Sequence, residues 1–297
     1  MYDCIIVGGG ITGLMAGKEL AQSGKDVIIL DKGRGIGGRL ASRRVTGPDN
    51  TTVRFDYGAQ YFTARDEKFL KFVDEWKKRN IIKTWSDSFQ DFSGGKTKSK
   101  KSFIGKNGIR EIAKDLAATL NTLTGIKVNH IGFQNENWVV GTDTGEVYEG
   151  KSLLLTPPVP QTLELLETFE YTFSDDEISI LKQLDYDPCF ALLAVLDGDS
   201  RIPQPGGIVG NDQTIRWMAD NRKKGISPEG TGVTIHATAQ FTRDNFEFSP
   251  ENVAEKLLDA ASNWLGADVI KWQLHRWKYS QPTNPMNDSY FRLTAPA

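Results

Sequence analysis

The stretch Cys4-Ile5-Ile6-Val7-Gly8-Gly9-Gly10-Ile11-Thr12-Gly13 decides the fold that we predict for this chain. Its apolar first half is typical of a buried parallel strand, because no polar residues alternate in it. Gly8 then permits a sharp turn, and Gly10 lets the backbone approach a pyrophosphate. Gly13 lets the following helix, predicted over 11–23, pack closely on the strand. The stretch therefore predicts a dinucleotide-binding site at the start of a Rossmann-like fold.

The residues that follow this helix strengthen the prediction. A second apolar run, Val27-Ile28-Ile29-Leu30, ends at Asp31, about 20 residues beyond the glycines, where an acid can accept hydrogen bonds from a ribose. A 2′-phosphate would meet the negative charge of Asp31, which argues against bound NADP. At the phosphate end, Thr12 offers a hydroxyl beside the N–H groups and the positive dipole end of the helix.

A third segment, Gly37-Gly38-Arg39, narrows the choice of dinucleotide. Its glycines allow close backbone approach, and the Arg39 guanidinium can meet the charge of a pyrophosphate. The first glycines and Asp31 alone leave a nicotinamide dehydrogenase open. Together with this segment they favour FAD, and therefore a flavoenzyme.

The composition is that of an ordinary globular protein of 297 residues, 39% hydrophobic and 25% charged, with a net charge of −2. That charge gives no electrostatic reason to expect nucleic acid or an anionic membrane as a partner. No apolar stretch approaches the roughly 20 residues of a membrane span, and we expect no signal peptide before the first strand. The two cysteines, Cys4 and Cys189, are too few for a zinc cluster or a disulfide framework. We therefore expect a reducing, cytoplasmic setting.

Periodicity along the rest of the chain predicts two interleaved domains. Alternation over 127–148 predicts a three-stranded antiparallel meander, and the apolar run 152–155 predicts a parallel strand that returns to the nucleotide-binding sheet. Two prolines then mark a crossover into a second region of helices and strands. The expected fold is α/β, with a Rossmann-like FAD-binding domain interleaved with an α+β substrate domain built on an antiparallel sheet. We place the FAD-binding domain at 1–64 and 101–157, with 287–297 returning to it, and the substrate domain at 65–100 and 158–286.

Several segments, spread over almost the whole chain, are similar to the motifs of one family. They are residues 31–39, 57–63, 103–109, 155–160, 216–224, 235–238 and 277–284. The Gly-Gly-Arg motif in the first of them would fit many flavin amine oxidases and desaturases. The segments of the second region are what resemble the renalases, here of bacterial type, within the flavin amine oxidase superfamily.

This resemblance implies an FAD-binding domain of the glutathione-reductase/p-hydroxybenzoate-hydroxylase type, with FAD bound non-covalently. It implies that residues 59–61 lie against the flavin ring system and that Val128 meets the adenine through backbone groups. Together with the residues of the glycine motifs, the expected FAD-binding residues are Gly8, Gly10, Thr12, Gly13, Asp31, Lys32, Gly38, Arg39, Ala59, Gln60, Tyr61 and Val128.

The resemblance also implies a reaction, the oxidation of dihydronicotinamide dinucleotides that carry the hydride at the wrong ring carbon, the 2- and 6-dihydro isomers of NAD(P). The flavin takes the hydride, giving NAD(P)⁺, and O₂ then takes the electrons, giving H₂O₂. Such a reaction needs no charged general base, and none is obvious in the sequence. We expect His236, on a predicted strand, to lie near the flavin, and Asn221 to hold a group of the substrate; these are the predicted catalytic residues.

Two other functions stay open at this point. One is a flavin amine oxidase or desaturase with another small substrate, although the segments of the second region do not suggest the aromatic cage that orients an amine. The other is a non-catalytic dinucleotide-binding protein. The sequence does not choose between the dihydronicotinamide isomers, between NAD and NADP forms, or between oligomeric states.

The C-terminal residues depart from the family pattern. Flavoproteins of this type resemble one another in a Gly-Asp pair after a last strand, followed by a helix whose N-terminus approaches the flavin. The chain ends at Phe291-Arg292-Leu293-Thr294-Ala295-Pro296-Ala297, about where that strand is expected, and this segment holds no Gly-Asp pair. The sequence does not tell whether the chain is truncated before this motif; a true truncation would remove a strand of the nucleotide-binding sheet and part of the FAD site.

Overall fold

A computed structural model of the protein describes residues 1–98, 100–171 and 173–294. The chain forms two compact units, each assembled from separate stretches of sequence. Unit 1 comprises Met1–Arg39, Ala113–Tyr186 and the chain from Gln281 onward; unit 2 comprises Leu40–Ile112 and Asp187–Ser280. None of the described helices is long and apolar enough to cross a membrane.

The described residues form both strands and helices. The strands are β1 (Cys4–Val7), β2 (Val27–Asp31), β3 (Ser42–Thr46), β4 (Thr52–Asp56), β5 (Ile82–Thr84), β6 (Ser88–Asp91), β7 (Lys96–Lys98), β8 (Phe103–Gly105), β9 (Asn121–Thr124), β10 (Val128–Gln134), β11 (Asn137–Thr142), β12 (Val147–Gly150), β13 (Leu153–Leu155), β14 (Tyr186–Leu196), β15 (Gly207–Val209), β16 (Ile215–Asp220), β17 (Gly232–Ala237) and β18 (Val269–Pro282). The helices are α1 (Ile11–Gln22), α2 (Glu67–Lys78), α3 (Arg110–Ala117), α4 (Val159–Leu166), α5 (Asp175–Lys182), α6 (Ala239–Asp244) and α7 (Pro250–Leu265).

Unit 1 is built on a four-stranded parallel sheet with the strand order β13-β1-β2-β9. Every residue of β1 is buried, which explains its unbroken apolar run. Ile5 of β1 lies opposite Leu153 of β13, so the predicted return of a parallel strand to this sheet is confirmed. The predicted antiparallel meander is confirmed as the separate sheet β10-β11-β12.

Helices α4 and α5 also belong to unit 1. Leu165 of α4 and Leu181 of α5 lie in the same hydrophobic cluster as Ile5 and Val7 of β1. The sequence placed residues 158–186 in the substrate domain because two prolines precede them. Burial against the parallel sheet is instead what fixes these helices in unit 1.

Unit 2 is built on a seven-stranded sheet with the order β18-β14-β17-β16-β15-β6-β7. The long helix α7 begins as predicted at Ser249, whose hydroxyl accepts a hydrogen bond from Asn252 N–H, and it ends at Gly266 in the left-handed region. Apolar residues of α7 such as Leu257 join one face of the sheet in the main core of the unit. The opposite face carries the groups described in the next section.

The compact units divide the chain at other residues than the predicted domains. Residues 40–64 pack in unit 2, where Phe55 of the hairpin β3-β4 shares a cluster with Leu193 of β14. The predicted domains also included residues 99, 172 and 295–297, which lie outside the described residues.

Candidate functional site

The turn between β1 and α1 in unit 1 needs glycine for steric reasons. Gly8 has φ +106°, a backbone conformation that favours glycine, and its N–H donates to Leu30 O at 2.8 Å. A Cβ on Gly13 would stand 2.0 Å from Gly8 O, closer than any real contact. The first and last glycines of the fingerprint therefore serve the fold, since they close the turn and let α1 approach the strand.

A second glycine segment lies against this turn. Gly37 N–H donates to Gly9 O at 2.8 Å, and Gly10 and Gly37 form a parallel bridge. Gly38 has φ +53°, and a Cβ there would be 3.3 Å from the Cα of Gly10. The two glycine motifs that the sequence assigned to one pyrophosphate are therefore adjacent in space.

The shape and charge of this place fit a pyrophosphate. A Cβ on Gly10 would meet nothing within 4 Å, so the backbone is open to a ligand there. Helix α1 has neither a side-chain cap nor an acidic residue in its first turn. The helix N-terminus can therefore offer N–H groups and a positive dipole end to an anion. Thr12 is exposed in this first turn.

Asp31 holds the glycine turn from the end of β2. Its Oδ2 accepts a hydrogen bond from Gly9 N–H at 2.5 Å, and its Oδ1 accepts one from Gly33 N–H at 2.6 Å. Each oxygen has a second lone pair, so the carboxylate can also accept from a ribose hydroxyl. The structure thus gives Asp31 a role in ordering the turn that sequence reasoning had not assigned.

The other residues predicted to bind FAD in unit 1 lie at or near its surface. Arg39 is exposed, and exposed Lys32 donates from Nζ to Gln161 Oε1 at 3.0 Å. Val128 is half-buried at the start of β10 and contacts the hydrophobic cluster of unit 1. Their contacts to FAD stay predictions.

Unit 2 contains a fully buried ion pair that the sequence did not predict. Lys224 Nζ lies 2.8 Å from Asp56 Oδ2, and both side chains have no exposed surface. Asp56 Oδ1 accepts hydrogen bonds from the Ser42 hydroxyl at 2.6 Å and from Ile109 N–H at 2.9 Å. The Lys224 ammonium also stands over the ring of Trp85, 5.0 Å from its centroid. Burial lowers the pKa of Lys224, and the neighbouring Asp56 opposes that shift.

Asn221 belongs to the hydrogen-bond network around Asp56. Its Oδ1 accepts from Asp56 N–H at 3.3 Å, and its Nδ2 donates to Gly232 O and to Thr234 Oγ1, both at 3.0 Å. The Thr234 hydroxyl in turn donates to Asp56 O at 2.9 Å. Asn221 is fully buried and its amide is engaged in these bonds, so it holds the backbone of Asp56 in place; the catalytic role expected from the sequence stays a prediction.

The cations beside Asn221 are also engaged within unit 2. Arg222 pairs with Asp199 at 3.0 Å. Lys223 Nζ donates to the carbonyl oxygens of Ser200 and Ile202, each at 2.7 Å. Any contact of these two cations with a substrate would have to replace or add to these bonds.

His236 is held neutral beside the backbone of Tyr57. Its Nε2 lies 3.1 Å from Tyr57 O, and because a carbonyl oxygen only accepts, Nε2 carries the proton and Nδ1 keeps a lone pair. Trp277 Nε1 donates to the same oxygen at 2.9 Å. Burial lowers the pKa of His236 to about 4, and the positive charges of Arg216 and Lys224 add to the shift. His236 is therefore a neutral polar group at pH 7.

Two groups of aromatic rings adjoin the segment 57–61, here called the crossing segment. The Tyr57 ring stacks on Trp277 with centroids 5.5 Å apart, and its edge meets His275 at 5.0 Å. At the other end, the Tyr61 ring lies 5.6 Å from Phe89 and 5.7 Å from Trp217.

These contacts place the crossing segment along one face of the seven-stranded sheet. Tyr57 contacts β18 at one edge of the sheet, and Tyr61 contacts β6 next to the other edge. His236 and Trp217, which pair across β17 and β16, lie in the middle. Ala59 of the crossing segment is half-buried. This face offers aromatic surface and neutral hydrogen-bonding groups, which suits a planar ligand.

Comparison with known proteins gives the class to which these features belong. Residues 6–76 match the model of an NAD(P)-binding Rossmann-like domain, which agrees with the geometry of the glycine turn. The fold is therefore that of a dinucleotide-binding α/β oxidoreductase. Residues 84–293 match the model described as flavin containing amine oxidoreductase, and the chain belongs to this family. It is an FAD-dependent oxidoreductase, similar to renalases within the flavin amine oxidase superfamily.

Individual relatives differ in how much of the chain they match. Renalase of Mus musculus is 25% identical over 99% of this chain and 89% of its own length. (S)-6-hydroxynicotine oxidase of Paenarthrobacter nicotinovorans is 51% identical, but over only 14% of this chain and 10% of its own length. Among solved structures, cyclohexylamine oxidase from Brevibacterium oxydans superposes with a TM-score of 0.71 at 11% identity, over 93% of this chain and 84% of its own. At that identity the likeness shows the fold alone.

Proposed function

We propose that this enzyme oxidises dihydronicotinamide dinucleotides, the 2- or 6-dihydro isomers of NAD(P), to NAD(P)⁺, with O₂ as the final electron acceptor and H₂O₂ as the second product. The observation that carries the proposal is the extent of the likeness to renalase, which covers 99% of the chain and so both units. The hydroxynicotine oxidase, in contrast, matches only 14% of the chain.

The site residues suit a substrate that loses a hydride and no proton. Oxidation of a dihydronicotinamide gives the aromatic cation directly, so no group has to remove a proton. His236 is neutral at pH 7, and its Nε2–H is engaged by Tyr57 O. We therefore assign His236 a binding and orienting role, in which Nδ1 can accept a hydrogen bond from the ligand. Asn221 is assigned to the support of the crossing segment, through Asp56 N–H.

FAD, the cofactor, supplies the two-electron acceptor for such a substrate when it is bound. We propose that Gly8, Gly10, Thr12 and Gly13 bind its pyrophosphate, together with Gly38 and Arg39. Asp31 is proposed to bind the ribose, Lys32 to lie nearby, and Val128 to meet the adenine. Ala59, Gln60 and Tyr61 of the crossing segment are proposed to contact the flavin. With these assignments we also propose that the chain has one domain that binds FAD and one that binds the substrate, as the sequence predicts.

The test is anaerobic mixing of the holoprotein with purified 2-dihydro-NAD(P) or 6-dihydro-NAD(P), with the flavin absorbance followed by stopped flow. The expected result is rapid bleaching with at least one isomer, NAD(P)⁺ as the product, and one H₂O₂ per turnover once air is admitted. Ordinary NADH, the 4-dihydro isomer, serves as the matched control. Bleaching by an amine while the flavin stays oxidised with both isomers would overturn the proposal.

An amine oxidase is the second candidate, and a specific observation favours it. The sequence suggested no aromatic cage, yet the rings around Tyr57 and Tyr61 line one face of the sheet in unit 2. Such rings can orient a neutral amine as well as stack on a nicotinamide. The same stopped-flow experiment with a panel of primary and secondary amines separates the two candidates.

The setting that we propose is the cytoplasm. Cys4 and Cys189 are both free and buried, and burial raises the pKa of Cys189 to about 12, so neither thiol is disposed to react. Fractionation of cells that express a tagged chain tests this proposal.

A further inference from the structure

One face of β18 in unit 2 brings a cation to the aromatic rings around Tyr57. Gln273, His275 and Trp277 occupy alternate positions of this strand, so their side chains point to the same side of it. Arg43 of β3 donates from Nη1 to Gln273 Oε1 at 3.1 Å. Its guanidinium also stands over the ring of Tyr57, 4.6 Å from the centroid, and this ring contacts His275 and Trp277. These residues, here called the β18 cluster, are therefore joined by direct contacts.

The β18 cluster keeps surface that a ligand can reach. Arg43, Tyr57, His275 and Trp277 are all half-buried, so each side chain remains partly accessible. Among the described residues, Arg43 makes one hydrogen bond, to Gln273, and no ion pair. Because a guanidinium has five N–H donors, most of those of Arg43 stay available to a ligand.

The charges at this face are positive. Lys271 lies two positions before Gln273, on the same side of β18, and donates from Nζ to Thr46 O at 2.8 Å. In the part of the chain that the structure describes, neither Lys271 nor Arg43 pairs with a carboxylate. Burial and then the charge of Arg43 lower the pKa of His275 to about 4, so this histidine is neutral at pH 7. A partly desolvated cation without a counter-charge attracts an anion.

The chemistry of the β18 cluster changes along the strand. Gln273 meets the cation Arg43, whereas Trp277, four residues further on, donates from Nε1 to the same Tyr57 oxygen that His236 Nε2 contacts. Four residues correspond to about 13 Å along a strand. One end of the cluster is therefore cationic, and the other offers aromatic rings beside a neutral histidine. A nucleotide has the same order of groups, with a phosphate at one end and a planar ring at the other.

We propose that Arg43 is a specificity-determining residue, which binds the phosphate of a nucleotide substrate whose planar ring lies against the aromatic end of the β18 cluster. The inference rests on the function proposed above and deepens it, because a dihydronicotinamide dinucleotide carries its pyrophosphate one ribose away from the ring that reacts. The planar guanidinium matches phosphate oxygens with two parallel N–H donors. A protonated amine would instead meet a like charge, so Arg43 also selects against cationic substrates.

The variant Arg43→Gln tests the proposal because it removes the charge and keeps an amide that can bond to Gln273. Its matched control is Arg44→Gln, which removes the same charge from the next position of β3. Arg43 lies opposite Phe55 in the hairpin and Arg44 opposite Arg54, so the two side chains point to opposite sides. The control therefore reports the effect of net charge alone.

The binding measurement is calorimetry on oxidised holoprotein with nicotinamide mononucleotide and nicotinamide riboside, which differ by one phosphate group. We expect the wild type and Arg44→Gln to bind the mononucleotide about tenfold more tightly than the riboside. Arg43→Gln should lose most of this preference. Arg43→Lys should keep part of it, since it retains the charge without the planar fork. Added salt should weaken mononucleotide binding more in the wild type than in Arg43→Gln.

Kinetics give a second readout. In anaerobic stopped flow with a dihydro isomer that bleaches the flavin, Arg43→Gln should need roughly tenfold more substrate for half-maximal rate. The limiting rate of bleaching should stay the same, because a phosphate distant from the reacting carbon is bound equally in the ground state and the transition state. A merely structural role of Arg43 would instead weaken the binding of mononucleotide and riboside alike.

The inference is overturned if the wild type does not prefer the mononucleotide, if Arg43→Gln keeps the preference, or if Arg44→Gln loses as much of it. Weaker binding of FAD to Arg43→Gln with the preference unchanged would also overturn it, since the β18 cluster would then serve the cofactor. Failure of the proposed function looks different, because the wild-type flavin then stays oxidised with both isomers. The comparison of mononucleotide with riboside needs no turnover, so it decides the inference whichever reaction the enzyme catalyses.

Discussion

The glycine turn of unit 1 and the sheet face of unit 2 are held in their conformations by different kinds of interaction. In the turn, backbone sterics dominate: Gly13 must be small because Gly8 O stands where its Cβ would be, and the nearby Asp31 carboxylate adds hydrogen bonds from Gly9 N–H and Gly33 N–H. On the sheet face, side chains distant in sequence do the work, as in the pair of Asp56 and Lys224, 168 residues apart. A local backbone motif can be recognised from ten consecutive residues, whereas a side-chain network exists only after the chain has folded.

Substitutions therefore destabilise the two regions through different physical effects. A substitution in the turn acts through sterics, so its effect depends on where one added atom would stand. A substitution in the network acts through desolvation, so its effect depends on which charge or hydrogen-bonding group is left buried without a partner. The predictions below use this difference, beginning with the largest effect.

Lys224→Met should be the most destabilising single change on the sheet face. It leaves the Asp56 carboxylate fully buried without its cation, for which we expect a loss of about 3–5 kcal/mol in the free energy of unfolding. Urea denaturation of the FAD-free protein at pH 7 measures it. The double variant Asp56→Asn with Lys224→Met should recover much of the loss, because no buried charge then remains.

A double variant no more stable than Lys224→Met would contradict the buried-charge account. Arg222→Met serves as the control, since its ion pair with Asp199 is exposed and should change stability by less than about 1 kcal/mol.

Gly13→Ala should be the most damaging change in the glycine turn. The added Cβ would stand 2.0 Å from Gly8 O, so α1 or the strand must move, and we expect a loss of about 1–3 kcal/mol or more together with the loss of FAD. Thermal unfolding and the flavin content of the purified protein are the measurements. A yellow protein of wild-type stability would show that the turn adapts more easily than its geometry implies.

Gly10→Ala separates binding from folding in the same turn. Gly10 has φ −77°, which alanine adopts freely, and its added Cβ would meet nothing within 4 Å. The stability of the FAD-free protein should therefore stay within about 0.5 kcal/mol of the wild type. FAD affinity should fall by tenfold or more, since a methyl group then stands where we place the pyrophosphate. Unchanged FAD binding would show that the pyrophosphate does not bind at this helix N-terminus.

The same contrast explains how much could be predicted from the sequence. β1, the glycine turn, α1 and β13 follow from continuous apolar runs and glycine spacing, and the structure confirms them. The 14-residue strand β18 was missed. One of its faces carries Trp272 and Leu274 into the main core, while the other carries His275 and Trp277 to the site. With aromatic or polar residues on both faces, the alternation that identifies a half-buried strand disappears.

Only part of the site could be predicted, because local motifs can be recognised in the sequence and contacts between distant residues cannot. Gln60, Tyr61 and His236 were singled out through a motif resemblance, and all three lie along one sheet face. Lys224 was missed because a run of cations after a strand usually indicates a solvated loop. A signal was present in Asp56, an acid at the end of the short strand β4, but its partner could not be identified without the tertiary structure.

The smallest expected effect is a pH dependence of stability that comes from the histidines of the sheet face. Burial lowers the pKa of His236 to about 4, and burial together with the charge of Arg43 lowers that of His275 to about 4. The unfolded chain takes up a proton on each near pH 6.5, and the folded chain only near pH 4, so the free energy of unfolding must fall as the pH drops through that window. After allowance for their partial exposure, we expect the free energy of unfolding to fall by about 1–2 kcal/mol in total.

Urea denaturation at pH 7, 5.5 and 4.5 should show this pH dependence of the free energy of unfolding. The dependence should be shallower in His236→Gln, where an amide N–H can still donate to Tyr57 O. Because the turn of unit 1 contains no histidine, an equal slope in the variant would mean that the network on the sheet face does not hold His236 neutral.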